Sequence, residues 1–233
     1  MISSVLVAAG KSERFGGTVP KVFSRLCNKP LISYSLEAFQ RAPLIEEIIL
    51  VVSDDRINDR LVRHLKERFP RISSIVAGGS CREESVLRGL RACSDCARWV
   101  LIHDGARPLV SQRLITRVAR AAMKYGSGVP VLPVTESLRK TRGQFLCGEL
   151  PRQGVCTVQT PQGFHLSLLK EKMEKYEKNL EDFTDESGIF LRAGLTVRTV
   201  KGESSNIKVT TKADMELCRA LQCDYFSERR LVE

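Results

Sequence analysis

Val5-Leu6-Val7-Ala8-Ala9-Gly10 is the segment that most constrains this chain, because an apolar run ends there in a small-residue turn. Small residues leave no side chain between the backbone N–H groups and a bound phosphate. Two cations, Arg14 and Lys21, follow within a short distance along the chain. Together these features indicate nucleotide chemistry, although Ala8-Ala9-Gly10 alone is equally typical of an ordinary tight turn after a buried strand.

Two better-known phosphate-binding loops do not match this segment. Gly10-Lys11-Ser12 resembles the end of a Walker loop, but the earlier glycine of that loop would fall on Val5, inside the apolar run. The chain also lacks the G-x-G-x-x-G fingerprint of dinucleotide-binding proteins. The segment therefore predicts a phosphate-binding turn of another kind.

The composition indicates a globular protein that binds anions. The 233 residues are 42% hydrophobic and 27% charged, and the net charge is +10. Such a charge predicts nucleotides, phosphorylated metabolites, nucleic acid or an acidic membrane surface as partners. The charge is spread along the chain and only 6% of the residues are aromatic, which weighs against a stacking platform for single strands. We expect one domain over residues 1–233, with neither a nucleic-acid nor a membrane partner.

Targeting and redox signals are weak. No apolar run reaches the length of a membrane span, and no signal-peptide pattern accompanies Ile2–Val7. We expect a cytoplasmic protein, or a plastid stromal one from which a transit peptide has been removed. The eight cysteines are irregularly spaced, and we interpret them as reduced thiols. Cys93-x-x-Cys96 lacks the second pair that a zinc site would need.

Short apolar runs alternate with amphipathic stretches in the first half of the chain. Strands are predicted over 2–8, 47–53, 72–77 and 98–103, and helices over 30–41, 55–69, 82–93 and 111–125. Nearly continuous apolar runs are typical of strands buried on both faces. The pattern predicts a Rossmann-like α/β fold, with a mostly parallel sheet and helices on both faces. Ligands bind such sheets beyond the carboxyl ends of the strands.

The pattern changes after Gly128. A strand is predicted over 129–134, and residues 137–159 then alternate around Gly143, Gly148 and Gly154, which predicts a projecting β-arm. A two-stranded arm cannot bury itself, so we expect it to pack on the second subunit of a homodimer. Helices over 165–179 and 185–192, a strand over 196–200 and a closing helix from Thr211 complete the prediction.

Seven short segments between Ala8 and Thr210 resemble, in order and spacing, the 2-C-methyl-D-erythritol 4-phosphate cytidylyltransferase family. Each segment alone is weakly specific, but together they cover nearly the whole chain. They are Ala8-Ala9-Gly10-x-x-x-Arg14, Pro20-Lys21, Gly78-Gly79-x-x-Arg82-x-x-Ser85-Val86, His103-Asp104-Gly105-Ala106-Arg107-Pro108, Gln159-Thr160-Pro161-Gln162, Thr184-Asp185-Glu186 and Asn206-Ile207-Lys208-Val209-Thr210.

The resemblance implies transfer of CMP from CTP to the phosphate of methylerythritol phosphate, with release of pyrophosphate, in non-mevalonate isoprenoid synthesis. A phosphate monoester is mostly dianionic near neutral pH, so this nucleophile needs no general base. Accordingly, no Ser-His-Asp or Cys-His signature is recognisable in the sequence. The reaction instead requires relief of the repulsion between two anions and stabilisation of the charge at the α-phosphorus.

The same resemblance implies the roles of individual residues. Arg14 and Lys21 would contact the triphosphate, and Mg²⁺ would bridge its oxygens. Arg152, reaching from the partner's arm, and Lys208 would position the acceptor phosphate. Asp104 would lie near the ribose and the acceptor hydroxyls and is a candidate to assist the metal. The expected nucleotide contacts further include Ala8, Ala9, Gly10, Gly79, Ser80 and Ser85, and the expected secondary acceptor contacts are Arg107, Ser137, Thr160 and Thr184.

Alternatives and departures stay open at this stage. Ribitol 5-phosphate is a competing acceptor, because its cytidylyltransferase shares most of these motifs. A basic RNA-binding protein is a competitor of another class, motivated by the net charge of +10. Val22 follows Pro20-Lys21 where glutamine is common, Ser80 replaces an acidic residue of some members, and Ser137 stands where threonine is frequent. His103 is interpreted as structural.

Overall fold

The computed structural model describes residues 1–10, 15 and 20–230, with side chains described as far as residue 222. The strands are Ile2–Ala8 (β1), Arg25–Leu26 (β2), Lys29–Pro30 (β3), Glu47–Val52 (β4), Ile72–Ala77 (β5), Trp99–Asp104 (β6), Ser127–Pro133 (β7), Leu138–Arg142 (β8), Phe145–Leu150 (β9), Cys156–Val158 (β10), Gln162–His165 (β11) and Thr199–Lys201 (β12). The helices are Leu31–Arg41 (α1), Arg60–Arg68 (α2), Arg82–Arg91 (α3), Gln112–Tyr125 (α4), Leu166–Lys175 (α5), Glu186–Arg192 (α6) and Lys212–Arg230 (α7).

A mixed, mostly parallel sheet forms the centre of the molecule, in the order β10-β7-β11-β6-β1-β4-β5, with β12 also paired to β7. Strands β5, β4, β1 and β6 are parallel neighbours, and β11 lies antiparallel between β6 and β7. The predicted α/β class with a mostly parallel sheet is confirmed. Because β1 is central, its carboxyl end lies between those of β4 and β6.

Helices cover both faces of this sheet, which explains the continuous apolar runs. Along β1, Leu6 packs in a cluster with Leu36 of α1 and Ile115 of α4, whereas Val5 packs in a second cluster with Val86 of α3 and Leu169 of α5. Successive side chains of a strand point to opposite faces, so both faces of β1 need apolar residues. Each such side chain contributes roughly 1.5–3 kcal/mol through its burial. The strands whose carboxyl ends carry the site are therefore held by a hydrophobic core on both faces of the sheet.

Helix ends follow the expected capping chemistry, with one shift. The Ser111 side chain accepts the Leu114 N–H at 3.0 Å at the start of α4, and Gly126 ends that helix with a φ of 82°. The helix predicted from Asp55 begins at Arg60 instead, because the Asp59 side chain accepts the Leu61 N–H at 2.7 Å and caps it there.

Two predictions for the second half of the chain were wrong in their extent. The helix predicted from His165 begins at Leu166, because Gln162–His165 pairs with β6 as the unpredicted strand β11. The separate hairpin of the predicted arm consists of β8 and β9 alone, since Cys156–Val158 pairs with β7 in the central sheet. None of the helices within the described ranges is long and apolar enough to cross a membrane.

Candidate active site

A cavity of about 570 Å³ opens at the carboxyl ends of β1, β5 and β6. Parallel sheets bind their ligands at this edge. The structure brings together in its wall a large part of the site predicted from the sequence: Ala8, Ala9, Gly10, Lys21, Gly79, Ser80, Ser85, Asp104 and Lys208.

The loop between β5 and α3 forms one wall of the cavity. The Gly79 N–H donates to Oγ of Ser85 at 3.0 Å, and that hydroxyl donates to the carbonyl oxygen of Cys81 at 2.9 Å. A Cβ added at Gly78 would lie 2.3 Å from Cβ of Ala9, so the two loops meet too closely for any larger residue. This close approach explains why small residues occupy both segments.

Ser80 ends this loop and is tied to a carboxylate one helical turn further on. Its backbone N–H and its hydroxyl both donate to Oε2 of Glu84 at 2.7 Å. The hydrogen bonds to Ser80, together with Arg88, lower the pKa of Glu84. The serine that replaces an acidic residue therefore lies against an acidic side chain of α3.

Asp104, at the end of β6, is the centre of the charged part of the site. Its Oδ2 lies 2.7 Å from Nζ of Lys208, its Oδ1 accepts Nε–H of Arg82 at 2.9 Å, and Nε of Arg107 lies 3.9 Å from Oδ2. Burial by itself would raise the pKa of the Asp104 carboxyl, but Arg82 and Lys208 outweigh it and hold that pKa well below its usual range. Asp104 is thus an ionised carboxylate surrounded by three cations.

Arg82 and Glu186 belong to the charged part of the site although the sequence indicated no role for either. The guanidinium of Arg82 donates to Glu186 through Nη1 at 2.7 Å and Nη2 at 3.3 Å, while its Nε holds Asp104. Glu186 is fully buried. The only signal in the sequence was the presence of both residues inside two of the matching segments.

Lys208 lies in an irregular segment between β12 and α7 that is attached to the sheet edge. The Val209 N–H donates to the Ala106 carbonyl oxygen at 2.8 Å, and Nη1 of Arg107 donates to the Asn206 carbonyl oxygen at 2.8 Å. These bonds fix the backbone on both sides of Lys208. Arg107 therefore supports the site without being among the residues that line the cavity.

Thr160 and His103 form a buried pair beneath Asp104. The Thr160 hydroxyl accepts the Asp104 N–H at 3.1 Å and lies 3.1 Å from Nδ1 of His103, whose Nε2 lies 3.2 Å from the Arg107 carbonyl oxygen. This network is satisfied when Nε2 carries the ring proton. Burial lowers the pKa of His103 to about 3, so the ring is neutral and structural, as the sequence indicated.

Besides Arg107 and the buried Thr160, which do not line the cavity either, three predicted residues lie away from the cavity of this chain. Arg152 is exposed and donates to the Thr135 carbonyl oxygen, and Ser137 and Thr184 are exposed as well. None of the three is among the residues that line the cavity. Arg14 lies outside the described residues, so its role stays a prediction.

The lysine and the cysteine pair singled out in the sequence have different surroundings. Lys21 lies in a 3-10 turn, Lys21–Phe23, at the cavity wall beside the buried Val22.

Cys93 and Cys96 are free thiols, and burial raises the pKa of Cys93 to about 12. The described residues contain no group of three or more His, Cys, Asp or Glu side chains that could hold a metal ion.

This fold and this site define a nucleotidyltransferase-like α/β protein, with cations gathered beside small-residue loops at the carboxyl edge of the sheet. Residues 2–222 match the family model described as IspD, 2-C-methyl-D-erythritol 4-phosphate cytidylyltransferase. The chain belongs to this family.

Individual relatives agree with this assignment. A 2-C-methyl-D-erythritol 4-phosphate cytidylyltransferase of Dehalococcoides mccartyi is 35% identical over 221 residues, which cover 94% of this chain and 95% of the relative. The crystal structure of the enzyme of that name from Thermus thermophilus superposes with a TM-score of 0.79 at 31% identity, over 94% of this chain and 97% of the other. A bifunctional IspD/IspF enzyme of Desulfotalea psychrophila is 35% identical over 91% of this chain, which spans only 54% of that relative.

Proposed function

We propose that this chain transfers CMP from CTP to 2-C-methyl-D-erythritol 4-phosphate, giving 4-diphosphocytidyl-2-C-methyl-D-erythritol and pyrophosphate. The observation that carries the proposal is one cavity whose wall contains Lys21, Lys208 and Asp104 together with the small-residue loops after β1 and β5. Its volume of about 570 Å³ is in the range of small-molecule sites. The family membership of the chain supports the same reaction.

The chemistry needs positioning and charge, which the site residues provide. An oxygen of the acceptor phosphate forms a bond to the α-phosphorus of CTP, and the bond from this phosphorus to the bridging oxygen breaks, releasing pyrophosphate. In this proposal Lys208 offsets the repulsion between the two anions and Lys21 holds the triphosphate, and the presence of both residues in the cavity wall supports these roles. The proposed reaction requires no proton acceptor, which agrees with the neutral, buried ring of His103.

Mg²⁺ is the cofactor that we propose with this reaction. Mg²⁺ is usually held by one or two carboxylates together with substrate phosphates. Among the described residues that line the cavity, Asp104 is the acidic one and is ionised, so it could supply the carboxylate of that arrangement. When bound, the ion would neutralise charge on the triphosphate.

A second copy of this chain is the partner that we propose. The β8–β9 hairpin exposes Phe145 and Leu146, with 78% and 71% of their surface accessible. A small hairpin of this kind is marginally stable alone, and burial of these side chains against another subunit would stabilise it. Arg152 follows this hairpin, so a partner's arm could bring it to the acceptor.

An acceptor panel tests the proposed reaction. Purified protein with CTP and Mg²⁺ is expected to release pyrophosphate with methylerythritol phosphate and to use ribitol 5-phosphate poorly. The reverse ranking would assign the chain to a different acceptor. Absence of pyrophosphate with either acceptor, together with steeply salt-dependent binding of RNA, would favour the basic RNA-binding protein instead.

A further inference from the structure

Glu186 joins two parts of the site that the sequence places far apart. It begins α6, directly after Thr184 and Asp185, the segment expected to contact the acceptor. Its carboxylate receives both Nη groups of Arg82, which lies at the start of α3 beside the nucleotide loop. The Nε of the same guanidinium holds Asp104. One side chain, Arg82, therefore connects the acceptor segment with the Asp104 carboxylate in the cavity wall.

The amino end of α6 is fixed independently, so Glu186 presents a rigid anchor. Oδ1 of Asp185 accepts the Gly188 N–H at 2.8 Å, and Gln162 of β11 donates to Oδ2 of Asp185 at 3.1 Å. The same Gln162 accepts the Ser187 N–H at 3.0 Å. The backbone around Glu186 is thus hydrogen-bonded to the central sheet.

The charges around Arg82 show why the anchor matters. Burial raises the pKa of Glu186, and the Arg82 guanidinium opposes that shift, as expected for a forked ion pair away from water. Without the Glu186 carboxylate, Nη2 of Arg82 would lose its acceptor and Nη1 would keep only the Glu83 carboxylate, 3.5 Å away, so the guanidinium could reorient. Oδ1 of Asp104 would then lose its fixed donor, while Oδ2 stayed paired with Lys208.

We propose that Glu186 is a positioning residue of the transfer reaction, which through Arg82 fixes the Asp104 carboxylate and couples the acceptor segment to the nucleotide wall. The inference rests on the proposed function. Glu186 is fully buried and does not line the cavity, so it acts on the reaction by holding the guanidinium. A lysine at position 82 could not replace this arginine, because an ammonium group lacks the rigid fork that reaches two carboxylates at once.

The test compares Glu186→Gln, Arg82→Lys and the double variant with the wild-type protein in the pyrophosphate assay. Glu186→Gln is expected to lower kcat at least tenfold, since small displacements of reacting groups are costly. The KM for CTP is expected to stay within about threefold. The hydrogen bonds that hold the loop between β5 and α3, from Gly79 to Ser85 and from Ser80 to Glu84, do not involve Glu186. The double variant is expected to be no slower than the slower single variant, because both changes break one linkage.

Glu47→Gln is the matched control. Glu47 is also a buried carboxylate, which accepts the Ser73 hydroxyl at 2.8 Å and the Ser94 N–H at 3.1 Å. It lies at the amino end of β4, away from the carboxyl strand ends that carry the site. This variant is expected to lower Tm while leaving kcat within about threefold of wild type. A loss of kcat in Glu186→Gln no larger than in Glu47→Gln would overturn the inference, and so would multiplicative losses in the double variant.

The remaining outcomes separate the inference from the proposed function. Should Glu186→Gln not fold, Arg82→Lys carries the test, and a folded Arg82→Lys protein with wild-type kcat overturns the inference. No pyrophosphate release by the wild-type protein would contradict the proposed function and the inference together. An active wild-type protein with an equally active Glu186→Gln variant would contradict the inference alone.

Discussion

Nζ of Lys208 lies 2.7 Å from Oδ2 of Asp104, although the two residues are contributed by opposite halves of the chain. Asp104 ends a buried strand, whereas Lys208 belongs to an irregular segment attached to that strand end. The carboxylate therefore orients the ammonium group before any substrate arrives. An ammonium group oriented in advance costs no reorganisation during the reaction.

Removal of this ammonium group should have a large effect on rate. Lys208→Ala is expected to lower kcat/KM roughly 100-fold or more, because two phosphate groups then approach each other without that cation. Steady-state release of pyrophosphate measures the change. Lys201→Ala, on the exposed surface of β12, is the control and should remain within about twofold of wild type. Equal activity of the two variants would contradict a role of Lys208 in the reaction.

The cations near the amino end of the chain should also affect the chemical step. Lys21→Ala and Arg14→Ala are each expected to lower kcat by roughly 100-fold, because both residues are assigned to the triphosphate. Single-turnover kinetics with saturating CTP measure this loss. Lys66→Ala, exposed on α2, is the matched control. Near-normal turnover in both site variants would show that the triphosphate lies elsewhere.

A mixing experiment tests whether Arg152 acts across a dimer. Arg152→Ala and Lys208→Ala chains should each be nearly inactive toward the acceptor. After subunit exchange, a mixed dimer would contain one site with both residues intact, so the mixture should recover about a quarter of wild-type activity. Each variant mixed with itself provides the baseline. An active monomer, or a mixture no better than the baseline, would place Arg152 outside the neighbouring site.

The contact between the two small-residue loops should limit what position 78 accepts. Gly78→Ala places a Cβ 2.3 Å from Cβ of Ala9 and 2.9 Å from Oγ of Ser85. We expect a loss of about 1–3 kcal/mol in the free energy of unfolding and a raised KM for CTP. Gly148→Ala is the control, because its Cβ would meet nothing closer than 3.7 Å. Urea titration distinguishes the two, and equal stability would contradict the observed loop contact.

His103 should make the protein sensitive to acid. Its pKa is lowered to about 3 in the folded protein and is about 6.5 in an unfolded chain. Between these values the unfolded chain binds a proton that the folded protein does not. The free energy of unfolding should therefore fall as the pH falls, with His103 contributing up to about 1.4 kcal/mol per pH unit.

His103→Gln tests this dependence, since it should flatten the stability curve by about one proton between pH 4.5 and 6. His64→Gln is the control, because His64 is exposed on α2. Urea titrations at several pH values measure the slopes. An unchanged slope in His103→Gln would mean that the ring titrates alike in both states.

The sequence predicted those elements whose pattern is local. Continuous apolar runs identified β1 and β4, and the Ser111 and Gly126 signals bounded α4, because these features depend on burial and caps within a few residues. Strand β11 was missed because it is short, and its place in the sheet comes from pairing with β6 rather than from its own pattern. Strand pairing over such distances is not encoded in periodicity.

The candidate site divides in the same way. The places of Ala8–Gly10 and Gly79 in the cavity wall were predictable, since clusters of small residues directly after apolar runs can be recognised in the sequence. Arg82 and Glu186 were not, because the forked ion pair joins residues 104 positions apart along the chain. An arginine at a helix start and a glutamate at another are each ordinary surface residues in sequence. Only the folded arrangement shows that they bury a charge pair beside Asp104.

Because Lys208 joins the cavity through a segment near the end of the fold, the order of biosynthesis has a consequence. The small-residue turn after β1 leaves the ribosome almost two hundred residues before Lys208 does. A growing chain can therefore form much of its sheet while the Lys208 ammonium group of the cavity wall is still missing. The cavity wall is therefore complete only after Lys208 has been synthesised.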